Sequence, residues 1–260
     1  MRIVVLASGS GGNSALFEEG ETRVLVDAGI APRELASRLK RAKVTGAPTA
    51  IVLTHAHGDH HKYAGEVALA YDIPVFVSES TRRVSSLRGA RRIKVFGARE
   101  PFSVGDFVVH PLPLPHDAPQ VSLRLQAPSG RSATIATDLG EVPPDLLKHL
   151  ARSDTVLIES NHDADMLWRG PYSYSLKRRV ASSVGHLSNV QTHGLLKALE
   201  RRVETVVLMH LSETNNLPAL ALESAADALA DHSARLLVAS QNEPLAVHPV
   251  NEQLALFPVK

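Results

Sequence analysis

The chain contains no cysteine, which excludes disulfides, thiolate nucleophiles and cysteine-ligated zinc. Neither sign of charge dominates, because 28 Lys and Arg stand against 27 Asp and Glu, so any pull on a polyanion has to come from local clustering. Aromatic residues make up only 4% of the chain, which argues against base stacking and for phosphate contact if a nucleic acid is bound. No apolar run approaches the length of a membrane span, and the run opening "MRIVVLASGSGGNS" is too short for a signal peptide. A cytoplasmic location with no membrane partner is the expectation. No linker, repeat or low-complexity stretch interrupts the 260 residues, and at 44% hydrophobic they can bury a large core, so one domain over residues 1–260 is expected.

What the chain does have is a regular alternation of apolar strands with helical patterns. Strands are predicted at "RIVVLA", "SALFEE", "TRVLVD", "AIVLTH", "PVFVS", "RIKVF", "FVVHPLPL", "VSLRLQA", "SATIATD", "TVLIES", "TVVLMH" and "RLLVAS". Helices are predicted at about Pro32–Lys43, His61–Tyr71, Pro143–Leu150, Ser173–Ser183, Ser188–Arg201 and Pro218–Ala230. The fold class is therefore α/β with mixed sheets. The glycines of "SGSGGNS" are followed by strands and lack the Lys-Ser/Thr of a phosphate loop, so they read as a hairpin turn.

The strand ends carry the chemistry. Asp27, His55, His116, Asp138 and His210 each follow an apolar run, so one edge of a sheet is lined with residues that ligate metals. Rigid strands feeding short loops supply the fixed geometry a metal needs. The stretch "TAIVLTHAHGDHHKYAG" concentrates this pattern. His55 and His57, two residues apart in a loop, can point the same way, while Asp59 and His60 open the next helix and face a second position. Two adjacent ions are the natural occupants, and imidazole and carboxylate donors without thiolate suit Zn²⁺, Mn²⁺ or Fe²⁺ alike.

The motif "THAHGDH", with Asp27 before it and His116, Asp138 and His210 after it, resembles the metallo-β-lactamase fold superfamily. The resemblance implies a four-layer αββα sandwich with a dinuclear centre on one edge. It further implies that His55, His57 and His116 hold one ion, that Asp59, His60 and His210 hold the other, and that Asp138 bridges them. Asp27 would orient ligands, and Ser212 would stand behind His210. Paired ions about 3.5–4 Å apart make a bridging hydroxide available near neutral pH.

The second half narrows the substrate. "TVLIESNHD" contributes Glu159, Asn161 and His162, "VGHLSNVQTHG" contributes His186, Ser188 and Asn189, and "LMHLSETNN" contributes Ser212, Asn215 and Asn216. With "GPYSYSLKRRV", these are similar to the YycJ/WalJ-type branch of that superfamily, regarded as DNA exonucleases. Glu159 and His186 also resemble the Glu and His pair of tRNA 3'-processing relatives, in which a carboxylate-oriented histidine would protonate the leaving 3'-oxygen. Asn161, His162, Ser188, Asn189, Asn215 and Asn216 are then candidates for substrate contact. Lys177, Arg178 and Arg179, with the basic run Thr81–Arg99, are candidates for phosphate contact. The leading expectation is a dinuclear metal-dependent DNA exonuclease, with a glyoxalase II-like thioesterase or a tRNA 3'-processing-like ribonuclease as alternatives. Only 71 residues separate Asp138 from His210, so substrate would be held by loops, by the Arg-rich region or by a second subunit of a homodimer.

Overall fold

A computed structural model describes residues 1–199 and 203–249. Its strands are β1 (Arg2–Ala7), β2 (Ser14–Glu19), β3 (Thr22–Val26), β4 (Ala50–Val52), β5 (Val75–Ser78), β6 (Ile93–Phe96), β7 (Phe102–Val104), β8 (Phe107–Leu114), β9 (Gln120–Gln126), β10 (Ser132–Ala136), β11 (Thr155–Glu159), β12 (Thr205–Met209), β13 (Arg235–Val238) and β14 (Leu245–Val247). The helices are α1 (Pro32–Arg41), α2 (Gly58–His61), α3 (Ala64–Tyr71), α4 (Pro144–Leu150), α5 (Ala164–Arg169), α6 (Tyr174–Val180), α7 (Asn189–Lys197) and α8 (Pro218–Ala228). Two seven-stranded sheets form, ordered β14-β1-β2-β3-β4-β5-β6 and β13-β12-β11-β10-β9-β8-β7. No helix among the described residues is long and apolar enough to cross a membrane.

Strand alternation explains the layers. In β1, Ile3 and Val5 point one way and Val4 and Leu6 the other. The first set joins Phe17, Val24, Val26 and Val52 against Val109, Leu123, Leu125, Leu157 and Val207 of the second sheet, forming the core between the sheets. The second set packs under Leu35 and Leu39 of α1 and Val67 of α3. On the far side, Val156, Ile158, Val206 and Leu208 pack under Leu146 and Leu150 of α4, Leu195 and Leu196 of α7, and Ala221 and Ala225 of α8. The order helix, sheet, sheet, helix is the αββα sandwich.

Every predicted strand is present. The short β7 and β14 were not anticipated, nor was α5, although Asp163 caps α5 by accepting from the Met166 N–H. The helix expected from His61 is two pieces, because the Tyr63 N–H leaves the helix to donate to the Ala28 carbonyl. The helix expected over Ser188–Arg201 starts at a capping box of Ser188 and Gln191 and ends at Lys197; positions 200–201 lie outside the described residues.

Three expected strands stop one or two residues early for a reason that matters. Asp27, Asp138 and His210 adopt left-handed backbone conformations, with φ of 62°, 59° and 55°. Such a residue ends a strand, and for Asp or His it costs on the order of 1 kcal/mol. β3 and β4 run parallel, as do β10, β11 and β12, so their carboxyl ends lie on common edges. His210 N–H donates to Ser8 Oγ at 2.7 Å, and Ser8 N–H donates to the Ser240 carbonyl. These bonds tie the edge of one sheet to that of the other.

Candidate metal centre

The centre sits where the two edges meet. His55 leaves β4 through Leu53 and Thr54, and α2 begins at Gly58 with His57 as its cap residue. One turn of helix therefore carries Asp59 and His60 toward the second sheet. The glycine loop after β1, read from sequence as a plain hairpin, joins two antiparallel strands but also grips this turn. Asn13 N–H donates to the Asp59 carbonyl at 2.7 Å, and Asn13 Nδ2 donates to Asp59 Oδ2 at 3.1 Å. A Cβ on Gly29 would lie 1.7 Å from the Asp59 carbonyl oxygen, so only glycine admits the α2 turn there.

Two groups of donors result, each with ligand atoms within 4.8 Å of one another: His55, His57 and His116, and then Asp59, His60, Asp138 and His210. A third grouping adds Glu159 and His186 to Asp138 and His210. The imidazoles are fixed from behind. His60 Nδ1 donates to Asp27 Oδ2 at 2.7 Å, and His210 Nδ1 donates to Glu159 Oε1 at 2.9 Å. His55 Nδ1 lies 3.0 Å from the Thr54 hydroxyl, which itself donates to Asp27 at 2.9 Å. Each contact occupies one ring nitrogen and turns the other inward. His55 Nε2 is buried and makes no hydrogen bond, while the buried His210 Nε2 and Asp138 Oδ2 face only other ligand-type groups, Asp59 Oδ2 at 3.6 Å and His60 Nε2 at 3.1 Å. Such atoms, turned toward one another in a dry interior, would be costly to leave without a shared partner, and their all-N/O donor chemistry fits divalent cations.

The charges reinforce this fit. Asp27, Asp138 and Glu159 are buried, and Asp59 is largely so. Burial favours a neutral Asp59, but the adjacent imidazoles of His210 and His60 overcome it and hold its carboxyl far below the usual range. Glu159 is likewise lowered, to about 2, by His186 and His210 against the effect of burial. Burial lowers His210, but the Asp138 charge, the adjacent Asp59 carboxylate and the hydrogen bond to Glu159 raise it to about 10. His60 is raised well above its ordinary value by Asp138 and Asp27 despite complete burial. Without a bound cation, protons on these two imidazoles balance the carboxylates, so a cation binding there must displace protons. His55 behaves oppositely, because burial and the neighbouring His60 push its pKa well down.

An open cavity of about 360 Å³ lies over the cluster, lined by His57, Asp59, His116, Asp138, His186 and His210. Its roof is the excursion between β11 and β12, from which Tyr172, Leu176, Arg179 and Val180 reach the cavity. His186 Nδ1 donates to Glu159 Oε1 at 2.9 Å. Burial lowers the His186 pKa, but the charge and hydrogen bond of Glu159 prevail and raise it. Glu159 does not reach the cavity wall. Its carboxylate accepts from His186, His210 and the N–H groups of Asp138, Leu139 and Leu187. The structure thus makes Glu159 a residue that positions two histidines rather than one that meets substrate.

Several sequence-based expectations of substrate contact need correction. Asn161, His162, Ser188, Asn189, Asn215 and Asn216 are all buried and absent from the cavity lining. Asn161 donates to the His210 carbonyl at 2.8 Å, Ser160 donates to Asn189, and Asn189 and Asn216 bond to each other. This network holds the loops after β11 and β12 against α7, which is why the segment is so polar. Ser188 is spent on its capping box. Ser212 accepts from the Thr214 and Asn215 N–H groups and stabilises a turn. Lys177 and Arg178 lie outside the cavity lining but remain available to phosphate: Lys177 is half-buried with Nζ donating to the Trp168 carbonyl, and Arg178 is exposed. The Arg-rich run does not line the cavity, and within it Arg82, Arg91 and Arg92 pair with Glu79 and Asp72.

Sequence reasoning missed two neighbours of the centre, Asp117 and Asn13, and had Arg179 only as part of a basic run. Asp117 lies 3.1 Å from His57 Nε2 and 3.3 Å from His116 Nε2, and Arg179 Nε donates to it at 3.0 Å. The signal was adjacency, since Asp117 directly follows His116. Asn13 sat in a loop whose partner lies 46 residues away, and no local pattern marks it.

Comparison with known proteins adds three findings. Residues 22–211 match the family described as the beta-lactamase superfamily domain. The chain is 32% identical over 227 residues to "Exodeoxyribonuclease WalJ" of Streptococcus pneumoniae serotype 2, covering 84% of each chain, and 31% identical over 229 residues to "Exodeoxyribonuclease YycJ" of Bacillus anthracis, covering 85% of this chain and 86% of that one. Among solved structures, the metallo-beta-lactamase fold protein YhfI from Bacillus subtilis superimposes with a TM-score of 0.73 at 17% identity, over 95% of this chain and 99% of that one.

Proposed function

The chain belongs to the beta-lactamase superfamily, and from that premise we propose that it is a dinuclear metal-dependent exonuclease that hydrolyses DNA phosphodiester bonds. The observation that carries this reading is the pair of donor groups beneath one cavity, with an oriented imidazole, His186, on the wall beside Asp138. The relatives named as exodeoxyribonucleases align over most of the chain and support the substrate class.

His55, His57 and His116 would hold one Zn²⁺, Mn²⁺ or Fe²⁺, Asp59, His60 and His210 the other, and Asp138 would serve both. Two such ions supply Lewis acidity at a phosphoryl oxygen and activate a water as the nucleophile. The protein does the rest. Asp27 and Glu159 set the tautomers of His60 and His210, and Asp117 holds His57. Arg179, anchored by Asp117 at the cavity wall, offers its guanidinium to a non-bridging phosphate oxygen. His186 keeps one proton on Nδ1 for Glu159 and presents Nε2 to the cavity. The charge and hydrogen bond of Glu159 raise its pKa and so favour the cationic form, the one needed to protonate a departing 3'-oxygen.

The test is degradation of end-labelled single-stranded and duplex DNA by the protein loaded with Zn²⁺ or Mn²⁺. Progressive shortening that Asp59→Ala abolishes is expected. His186→Ala should retain both metal equivalents yet lose roughly 10²–10⁴-fold in rate. Hydrolysis of a thioester with no cleavage of DNA or RNA would overturn the substrate assignment, and full activity in His186→Ala would remove it as the acid.

A further inference from the structure

The roof of the cavity carries an aromatic and cationic surface that the metal chemistry leaves unused. The only tryptophan, Trp168, is 47% exposed at the end of α5, and Tyr174 is 70% exposed at the start of α6. Their ring centroids are 6.3 Å apart with the planes inclined at 47°. The Arg178 guanidinium lies 6.0 Å from the Tyr174 ring centre, and Lys177 Nζ is anchored on the Trp168 carbonyl at 2.8 Å. No residue of α6 is buried, so the sandwich core does not require these side chains. A helix that spends its largest aromatic on solvent departs from the usual economy of a monomer surface.

The charge of the segment specifies what covers it. From Met166 to Leu199 there is no Asp or Glu; Arg169 pairs with Asp165 and Arg179 with Asp117, which leaves Lys177 and Arg178 as the cations beside the rings. A second copy of this face would set like charges against each other, and a polyanion would not. α6 also spans from this surface to the site, since Leu176 and Arg179 on its other side line the metal cavity. One helix diameter, about 10 Å, separates the two, a distance bridged by one or two nucleotides.

We propose that Trp168 and Tyr174 form a stacking platform for the unpaired bases of a DNA strand whose adjacent phosphate lies in the metal cavity, with Lys177 and Arg178 contacting the flanking phosphates. The proposal rests on the nuclease reading and deepens it: the enzyme engages single-stranded ends. Stacking on exposed aromatics is tolerant of sequence because every base has a π-face, and cations beside the rings add to it.

A built-in reporter makes the test direct, because Trp168 is the only source of tryptophan fluorescence. The metal-loaded protein is titrated with a cleavage-resistant phosphorothioate oligodeoxythymidylate, with an abasic oligomer of the same length and linkage, and with a blunt duplex. The oligothymidylate should quench Trp168 and bind roughly tenfold tighter than the abasic oligomer. By fluorescence anisotropy, Trp168→Ala and Tyr174→Ala should each weaken oligothymidylate binding about tenfold while leaving abasic binding, metal content and melting temperature unchanged. Equal affinity for the base-bearing and abasic oligomers without quenching would overturn the platform, and so would a dimer in sedimentation that Trp168→Ala dissolves. DNA degradation without quenching would sink the platform and spare the nuclease reading. Quenching by a base-bearing oligomer in a protein that cleaves no nucleic acid would do the reverse.

Discussion

The two donor groups beneath the cavity face opposite electrostatic problems. His55, His57 and His116 form an all-imidazole group, in which burial depresses the pKa values of His55 and His116. Asp59, His60, Asp138 and His210 mix carboxylates with imidazoles whose pKa values are raised. Burial thus favours the neutral, metal-binding form of His55 and His116, which can take a cation with little release of protons. The second group holds its own protons as provisional counter-ions and must give them up. The three donors of one group and the four of the other should thus differ in metal affinity and in its pH dependence, and the difference comes from Asp27, Asp59, Asp138 and Glu159 on one side of the cluster.

Removing Asp138, the carboxylate proposed to serve both groups, should erase the distinction altogether. Asp138→Asn is expected to reduce both metal equivalents and bring nuclease activity to background, the largest effect of any single substitution proposed for the cluster. Retention of one equivalent by this variant, measured by metal analysis after dialysis, would show that the groups load independently. A smaller, one-sided effect is expected behind His60. Asp27→Asn should cost about 10–100-fold in affinity at the carboxylate-bearing group, with the all-imidazole group affected less through Thr54. Competition with a chromophoric chelator separates the two affinities, and an equal loss at both would break the comparison.

The finest discrimination comes from pH. In the metal-stripped protein, His210 has a folded pKa of about 10, above its ordinary value. Its contribution to stability is full below about pH 6.5 and fades as pH rises toward 10. His55 has a depressed pKa, so its contribution is present above about pH 6.5 and lost as pH falls. The stripped protein should therefore lose melting temperature between pH 7 and 10, while the loaded protein, its protons already displaced, changes less. A flat profile for the stripped protein over that interval would mean that His210 titrates near its ordinary value.

Much of this cluster was legible in the chain because its residues obey local rules. Asp27, His55, Asp138 and His210 follow buried strands, and the spacing of His57, Asp59 and His60 is that of a loop entering a helix. Such arguments fail for polar residues whose role depends on burial. Asn161, Asn189 and Asn216 have the composition of a substrate loop, yet they bond to one another inside the fold. They are also blind to the placement of aromatics. A content of 4% spoke against stacking, and composition does not show that Trp168 and Tyr174 are brought together on the surface by the unanticipated α5 and the turn into α6.

What the sequence by itself determined is the chemistry available and the elements that present it. Alternating apolar residues make two sheets, and the absence of cysteine limits the donors to nitrogen and oxygen. Only the tertiary structure decided which groups meet. Packing one sheet on the other brings His57 to Asp117, His60 to Asp138 and Asp59 to His210. These pairs are separated by 60 to 151 residues along the chain, and local propensity acts over a few residues. Their distances are fixed instead by the dense core between the sheets, which allows the two edges a single mutual position.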